Sequence, residues 1–275
     1  RDGTLQGNVY LRGQGDPRLG GERLWLLLRR LQGLGIQRIE GDIVLDRSAF
    51  DVPLRDPGSF DGEPLRPYNA SPDALLINFK SVLMHFVPDR TAQVARVHVE
   101  PPLAGVQFPS TVPLSAGECL DYRASLRLDW QDPTRPRLAG HYPAACGERL
   151  WPLAHPDAAR FAARAVEGVW QQLGGQLRGT VRDGSIPPGL RPTFVAESAP
   201  LADVVRDINK FSNNVMAQQV FLTLSWQAQG LGRFEASREM VTRWWRNRIG
   251  ADALVLDNGS GLSRQERLTA MGLAR

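Results

Sequence analysis

Residues that build metal and redox sites are scarce in this 275-residue chain: cysteine occurs twice and histidine four times. The histidines, His85, His98, His141 and His155, are dispersed, and neither a CxxC nor an HxxxH spacing occurs, so a tetrahedral zinc site has no ligand set to draw on. No metal and no cofactor are expected. Long apolar runs are lacking too: none approaches the ~20 residues of a membrane span, and Arg1 to Gly15 shows no charged start followed by an apolar signal core. Runs of like charge are absent. The 33 basic and 29 acidic residues leave a formal charge of +4 with both signs scattered, which argues against the basic, aromatic-rich surface of a nucleic-acid binder.

What is present is ample core material. Hydrophobic residues make up 42% of the chain, enough for one large domain or two ordinary ones. The elements are mixed α and β without internal repeats. "NVYLRG" predicts a short strand, "GERLWLLLRRLQGLG" sets Leu24, Leu27, Leu28, Leu31 and Leu34 at helical spacing, and "RIEGDIVLD" resumes as strand. From Asp51 to Pro72, Pro53, Pro57, Pro64, Pro67 and Pro72 with Gly58 and Gly62 break any period, so a long loop is expected there. Such loops inside compact domains often carry function. "AQVARVHVE" alternates with Ala95, Val97 and Val99 on one face, and "ASLRLDW" does the same with Leu126, Leu128 and Trp130, so both are expected as strands. "PDAARFAARAVEGVWQQLGG" then predicts a helix with Phe161, Ala165, Val169 and Leu173 in register. Composition changes after "RGTVRDGSIPPGLRP", and a boundary falls near Pro188 to Pro192.

Cys119 in "AGECLDY" and Cys146 in "PAACGER" flank "ASLRLDW". The residues alone leave two readings open, a pair of unrelated buried thiols or a disulfide. A disulfide over that separation contributes roughly 3 to 4 kcal/mol in the chain-entropy model and implies an oxidising compartment.

The last third is helical. Leu201, Val204, Val205, Ile208 and Phe211 form one amphipathic stripe, and "NVMAQQVFLTLSW" forms a second helix that begins immediately after Asn213. "KFSNN", residues 210 to 214, thus sits at a helix junction, where serine and asparagine serve as caps. "LDNGSGLSR", ending at Arg264, is not the nucleophile elbow GxSxG, because Asn258 breaks it. A turn after a short strand "ALVL" accounts for its glycines.

Taken together, "INKFSNN" and "LDNGSGLSR" resemble the penicillin-binding serine DD-peptidases of low molecular mass, the D-alanyl-D-alanine carboxypeptidase/endopeptidase type. "LQGNVYLRGQGDPRL" is similar to that family's strand and Gly-x-Gly-Asp-Pro turn, "IEGDIVLDRSAFD" to the strand after its first helix, and "LADVVRDINKFSNNVMAQ" to the helix leading into Ser-x-Asn. The paired Cys119 and Cys146 resemble the family's internal disulfide. The resemblance implies a mixed α+β chain, part of the serine β-lactamase/DD-transpeptidase-like fold with large inserted α/β accessory domains. Residues 1–190 would be the inserted accessory region, and 191–275 a partial penicillin-binding domain carrying Ser-x-Asn. It also implies a periplasmic protein acting on peptidoglycan stem peptides through an acyl-enzyme and acylated by β-lactam antibiotics.

Within that resemblance Ser212 and Asn214 are the catalytic pair, the serine relaying a proton and the Asn214 amide holding the substrate backbone and the catalytic lysine. "FDGEPLRPYNASP" is similar to the segment folding over the cleft mouth, with Glu63 and Tyr68 placed against the stem-peptide side chain. Arg264 matches the arginine that meets that side chain's carboxylate; guanidinium for carboxylate and carboxylate for ammonium suit a zwitterionic end. The departure from the family is in the lysines. Lys80 and Lys210 are the only two, neither has a serine three residues before it, and neither precedes Thr-Gly. The Ser-x-x-Lys nucleophile is therefore expected upstream of Arg1 and Lys-Thr-Gly downstream of Arg275, with Lys210 pointing to solvent. Such a segment is expected to be inactive alone and prone to self-association through exposed edges. The alternative is a non-catalytic peptidoglycan-binding or scaffold module, which would also lack those motifs.

Overall fold

The computed structural model describes residues 3–250 and 254–274. The chain opens with β1 (Thr4–Leu5), β2 (Val9–Arg12), helix α1 (Gly21–Gly33), β3 (Arg38–Ile39) and β4 (Ile43–Asp46). A long irregular stretch leads to β5 (Ser81–Asp89), β6 (Val94–Glu100) and β7 (Thr111–Ser115). The one-turn helix α2 (Tyr122–Leu126) and the short strands β8 (Leu128–Asp129), β9 (Arg137–Leu138) and β10 (Tyr142–Pro143) precede β11 (Arg149–Ala154). Helix α3 (Ala158–Gln172), β12 (Gln176–Leu177) and β13 (Val181–Asp183) follow. Four helices close the described chain: α4 (Leu201–Phe211), α5 (Asn214–Gln229), α6 (Phe234–Arg248) and α7 (Ala270–Ala274).

Three parallel strands, each broken in two, form the first layer. β3 lies between β1 and β12, and β4 between β2 and β13, all parallel, with crossovers through α1 and α3. The leucine spacing of α1 does what the sequence predicts: Leu24, Leu28 and Leu31 are buried, while Leu34 caps the helix end and stays exposed. They join Ile39, Ile43 and Leu45 of the sheet and Phe161, Ala165 and Val169 of α3 in one core. Each fully buried leucine contributes about 1.5 to 3 kcal/mol.

Inserted before α3 is a five-stranded sheet in the order β10-β7-β6-β5-β11, antiparallel except for the β10–β7 pair. Tyr142 stacks on Phe86 at 5.3 Å, donates its phenol to the Gly147 carbonyl at 2.8 Å, and has its pKa pushed up to about 12 by burial. The strand expected over "ASLRLDW" is instead the helix α2 followed by β8. The Asp121 carboxylate accepts from the amides of Arg123 and Ala124, which starts a helical turn, and Arg127 in the left-handed region ends it. Leu126 and Trp130 are buried all the same. Cys119 and Cys146 are joined as a disulfide, their Cα atoms 4.7 Å apart, tying the loop before α2 to the turn after β10.

The stretch 51–72 has no strand or α-helix, only a 3-10 turn at Pro67–Asn69. Its flanks pack on α5 and the start of α6: Phe50 and Ala74 share a cluster with Phe221, Leu222 and Phe234. The "GQGDP" turn fits closely behind this segment. A Cβ on Gly13 would collide with the Ala74 carbonyl, and Gly15, at φ +86°, lies against the Phe50 ring. Of the strand expected over "ALVL", residue 253 lies outside the described residues, and Val255 makes only a single bridge to Arg267. Helix α4 has the predicted apolar stripe but does not bury it. Val204 is buried, whereas Leu201 and Phe211 are 64% and 66% exposed.

Candidate active site

At the α4–α5 junction the three side chains of "SNN" divide the work. Ser212 ends α4 in the left-handed region at φ 51°. Asn213 is the cap of α5, its side-chain oxygen accepting from the Met216 amide at 3.0 Å. Asn214, the first residue of α5, is released from capping and donates its side-chain amide to the Ser260 carbonyl at 2.8 Å. The Ser212 hydroxyl is exposed and has no hydrogen-bond partner among the described residues. Lys210 is exposed, its ammonium 5.5 Å from the Phe211 ring centre, as expected for a solvent-facing residue.

The segment around Ser260 is a self-bonded turn. Buried Asn258 accepts from the Ser260 amide at 2.9 Å and hydroxyl at 2.6 Å, and its own amide donates to the Leu262 carbonyl at 3.2 Å. Gly259, at φ +73°, packs against Phe221 of α5, where a side chain would collide with the ring. Four residues after Ser260, Arg264 lies over Phe60 at 4.9 Å and donates to its carbonyl at 3.3 Å. The 257–264 turn thus bridges Asn214 to the 51–72 loop. A cavity of about 100 Å³ lies under that loop, lined by Tyr68, Lys80, Gln218, Asn258 and Leu262 among others.

Of the two loop residues expected at the cleft mouth, Tyr68 lines this cavity and Glu63 does not. Tyr68 donates its phenol to Asp61 at 2.7 Å, a bond that raises the phenol's pKa and is the main cause of the lowered pKa of Asp61. Asp61 also accepts from Asn69 at 2.8 Å. Glu63 is exposed and meets Arg66 at 3.5 Å. The carboxylate bonded to Tyr68 is thus Asp61 and not Glu63.

Beneath the loop lies a second group that the sequence left without a role. Buried Asp73 pairs with buried Lys80 at 3.0 Å and with Arg47 at 3.4 Å. Lys80 also donates to the Ser71 hydroxyl at 3.0 Å and closes a left-handed run, Asn78 to Lys80, that turns it inward. The main chain of Asp73 is held from the other side: fully buried Gln219 accepts its amide at 2.9 Å and donates to its carbonyl at 2.8 Å. Gln219 stands five residues after Asn214 on α5, and Asp73 five after Tyr68. This clamp fixes the loop against the helix carrying Asn214.

A mixed α+β chain with an exposed serine hydroxyl and an anchored asparagine amide at one helix junction matches a known family along its whole length. The chain belongs to the D-Ala-D-Ala carboxypeptidase 3 (S13) family, matched over residues 1–275. It is 29% identical over 289 residues to a D-alanyl-D-alanine carboxypeptidase of an Actinomadura species, covering 98% of this chain and 52% of the relative. It is 24% identical over 270 residues to D-alanyl-D-alanine carboxypeptidase DacB of Haemophilus influenzae, covering 96% of this chain and 55% of the relative. The chain thus spans about half the length of these curated relatives. Among solved structures, penicillin binding protein 4 (dacB) from Haemophilus influenzae superposes with a TM-score of 0.74 at 22% identity, over 100% of this chain and 61% of that one. The same protein complexed with a β-lactam gives 0.61 at 21% identity, covering 100% and 59%. The fold is that of these penicillin-binding proteins.

Proposed function

We propose that the chain is the Ser-x-Asn-bearing part of a periplasmic serine-type D-Ala-D-Ala carboxypeptidase/endopeptidase. It acts on peptidoglycan stem peptides through an acyl-enzyme and is a target of β-lactams. Residues 1–190 are the accessory region and 191–275 part of the penicillin-binding domain. The observation that carries this reading is the division of labour in "SNN": Asn213 supplies the side-chain cap, so a Ser212 hydroxyl without a partner among the described residues and a fixed Asn214 amide are left for a ligand. In this reading the Ser212 hydroxyl relays a proton and the Asn214 carboxamide oxygen accepts from a substrate amide or the catalytic lysine. Arg264, Tyr68 and Glu63 face the stem-peptide side chain, with Asp61 joining Tyr68. The nucleophile and the Lys-Thr-Gly strand come from sequence beyond these 275 residues.

Fluorescent penicillin tests this directly. The full-length protein is expected to form a covalent adduct and release D-alanine from a stem peptide, and residues 1–275 alone are expected to form none. An adduct on residues 1–275 overturns the assignment of the nucleophile. A full-length protein that binds peptidoglycan yet forms no adduct and releases no D-alanine is the non-catalytic binding module.

A further inference from the structure

On the accessory lobe, α3 and β13 line an open cavity of about 450 Å³, within the size range of small-ligand sites. Its charged rim is Arg160, Arg164, Arg182, Glu167 and Asp183. None of these residues belongs to the 51–72 loop, to α5 or to the 257–264 turn, although Arg47 joins Asp183 of this rim to Asp73 under the loop.

Two of the five charges are already answered. Arg182 pairs with Asp42 at 2.6 Å, and Asp183 meets Arg47 at 3.5 Å. Of the other three, Arg164 and Glu167 have no counter-charge among the described residues, and Arg160 has only a long pair with Asp157. Arg164 gives one terminal nitrogen to the Ala104 carbonyl at 3.0 Å, its Nε is buried without a partner, and no carboxylate pairs with it among the described residues. Arg160 reaches Asp157 only at 3.8 Å and is 75% exposed. Glu167 accepts from the neutral Gln171 amide at 3.1 Å and meets no cation among the described residues. Arg164 and Glu167 stand three apart on α3, a spacing that puts them on one face, yet they do not pair with each other. The lining also includes the short side chains of Ala159, Ala163 and Val181.

We infer that this cavity binds a short zwitterionic peptide, one with a free ammonium at one end and a free carboxylate at the other. The carboxylate meets the Arg160 and Arg164 guanidiniums, and the ammonium meets Glu167. A half-buried guanidinium without a counter-charge is unfavourable, and a carboxylate supplies charge-assisted hydrogen bonds. A purely anionic ligand would face Glu167 and Asp183 across the same cavity, whereas a neutral one would leave Arg164 uncompensated. The small alanine side chains let a peptide main chain approach the helix. The inference does not rest on the DD-peptidase reading.

Methyl NMR of the 275-residue chain tests it with trialanine, N-acetyl-trialanine, trialanine amide and inorganic phosphate as probes. Trialanine is expected to shift the methyl signals of Ala159, Ala163 and Val181 saturably, with each blocked form binding about tenfold more weakly. Glu167→Gln should erase the difference between trialanine and its N-acetyl form, and Arg160→Gln should reduce that between trialanine and its amide. Both positions lie on the surface of α3, and an unchanged methyl spectrum of the free variants verifies their fold. Four results each overturn the inference: no saturable shift at these methyls up to about 10 mM, equal binding of all three peptides, tighter binding of phosphate, or shifts confined to Val215 on α5.

Discussion

Ser212, Asn213 and Asn214 are three small polar residues in a row with three different surroundings, and the difference predicts their mutants. Asn213→Ala removes the only side-chain cap of α5 and should lower stability by about 1 kcal/mol, with little effect on acylation of the full-length protein. Asn214→Ala and Ser212→Ala should do the reverse, slowing acylation by penicillin or stem peptide about 10²-fold or more with small changes in melting temperature. Measuring both quantities on all three variants separates cap from catalyst. If none slows acylation beyond about tenfold, the assignment of Ser212 and Asn214 fails. The two roles were not separable from the letters "SNN", since any of the three residues can cap a helix. Which one does is decided by where α4 ends, in the left-handed turn at Ser212.

Among the elements, those written in side-chain period were legible: α1, α3 and β6 follow their apolar spacing, and the proline-rich 51–72 stretch is irregular, whereas α5 is a helix that buries Gln218, Gln219 and Ser225 with its apolar residues. The period misled at "ASLRLDW", where a local cap at Asp121 overrode an alternation of two, and at α4, where an amphipathic stripe lies largely exposed. Residues whose meaning lies in distant partners were invisible. Gln219 reads as an ordinary polar helix residue until its two bonds to Asp73 are seen, and Asp61 until Tyr68 is. Gln219→Ala leaves a buried amide and carbonyl of Asp73 unsatisfied and should cost about 3 kcal/mol, read as a lower urea midpoint at unchanged slope. A change below about 0.5 kcal/mol would mean that water replaces the clamp and that it does not position the loop.

At the scale of the whole molecule, charge and exposure set the behaviour. His155 is buried between Trp130 and Phe161, its Nδ1 accepts from the Asp157 amide at 3.0 Å, and burial pushes its pKa below the ordinary value. A group that resists its proton in the fold but takes it when unfolded stabilises the fold fully above about pH 6.5. That contribution declines as pH falls below this value and is gone below the folded-state pKa. The urea midpoint should therefore drop between about pH 7 and 5, and His155→Asn, which keeps an acceptor for Asp157, should flatten that slope. Asp46 acts in a lower window: burial alone would raise its pKa, but hydrogen bonds from Ser48 and the Ile186 amide hold it below the usual value, so its contribution is lost below about pH 4. Leu201, Phe211, Trp244 and Leu273 are more than half exposed, and sedimentation of the 275-residue chain should show concentration-dependent self-association that Phe211→Ser weakens. A monomer at all concentrations would refute this. The Gln219–Asp73 clamp also carries a consequence for folding, because its halves are 146 residues apart in sequence. The core of the sheets, α1 and α3 can assemble from residues that precede α4, but the main chain at Asp73 waits for α5 to dock. The segment under the 51–72 loop is thus among the last parts of the fold to close, and a chain ended before α5 would keep that core and leave the loop unclamped.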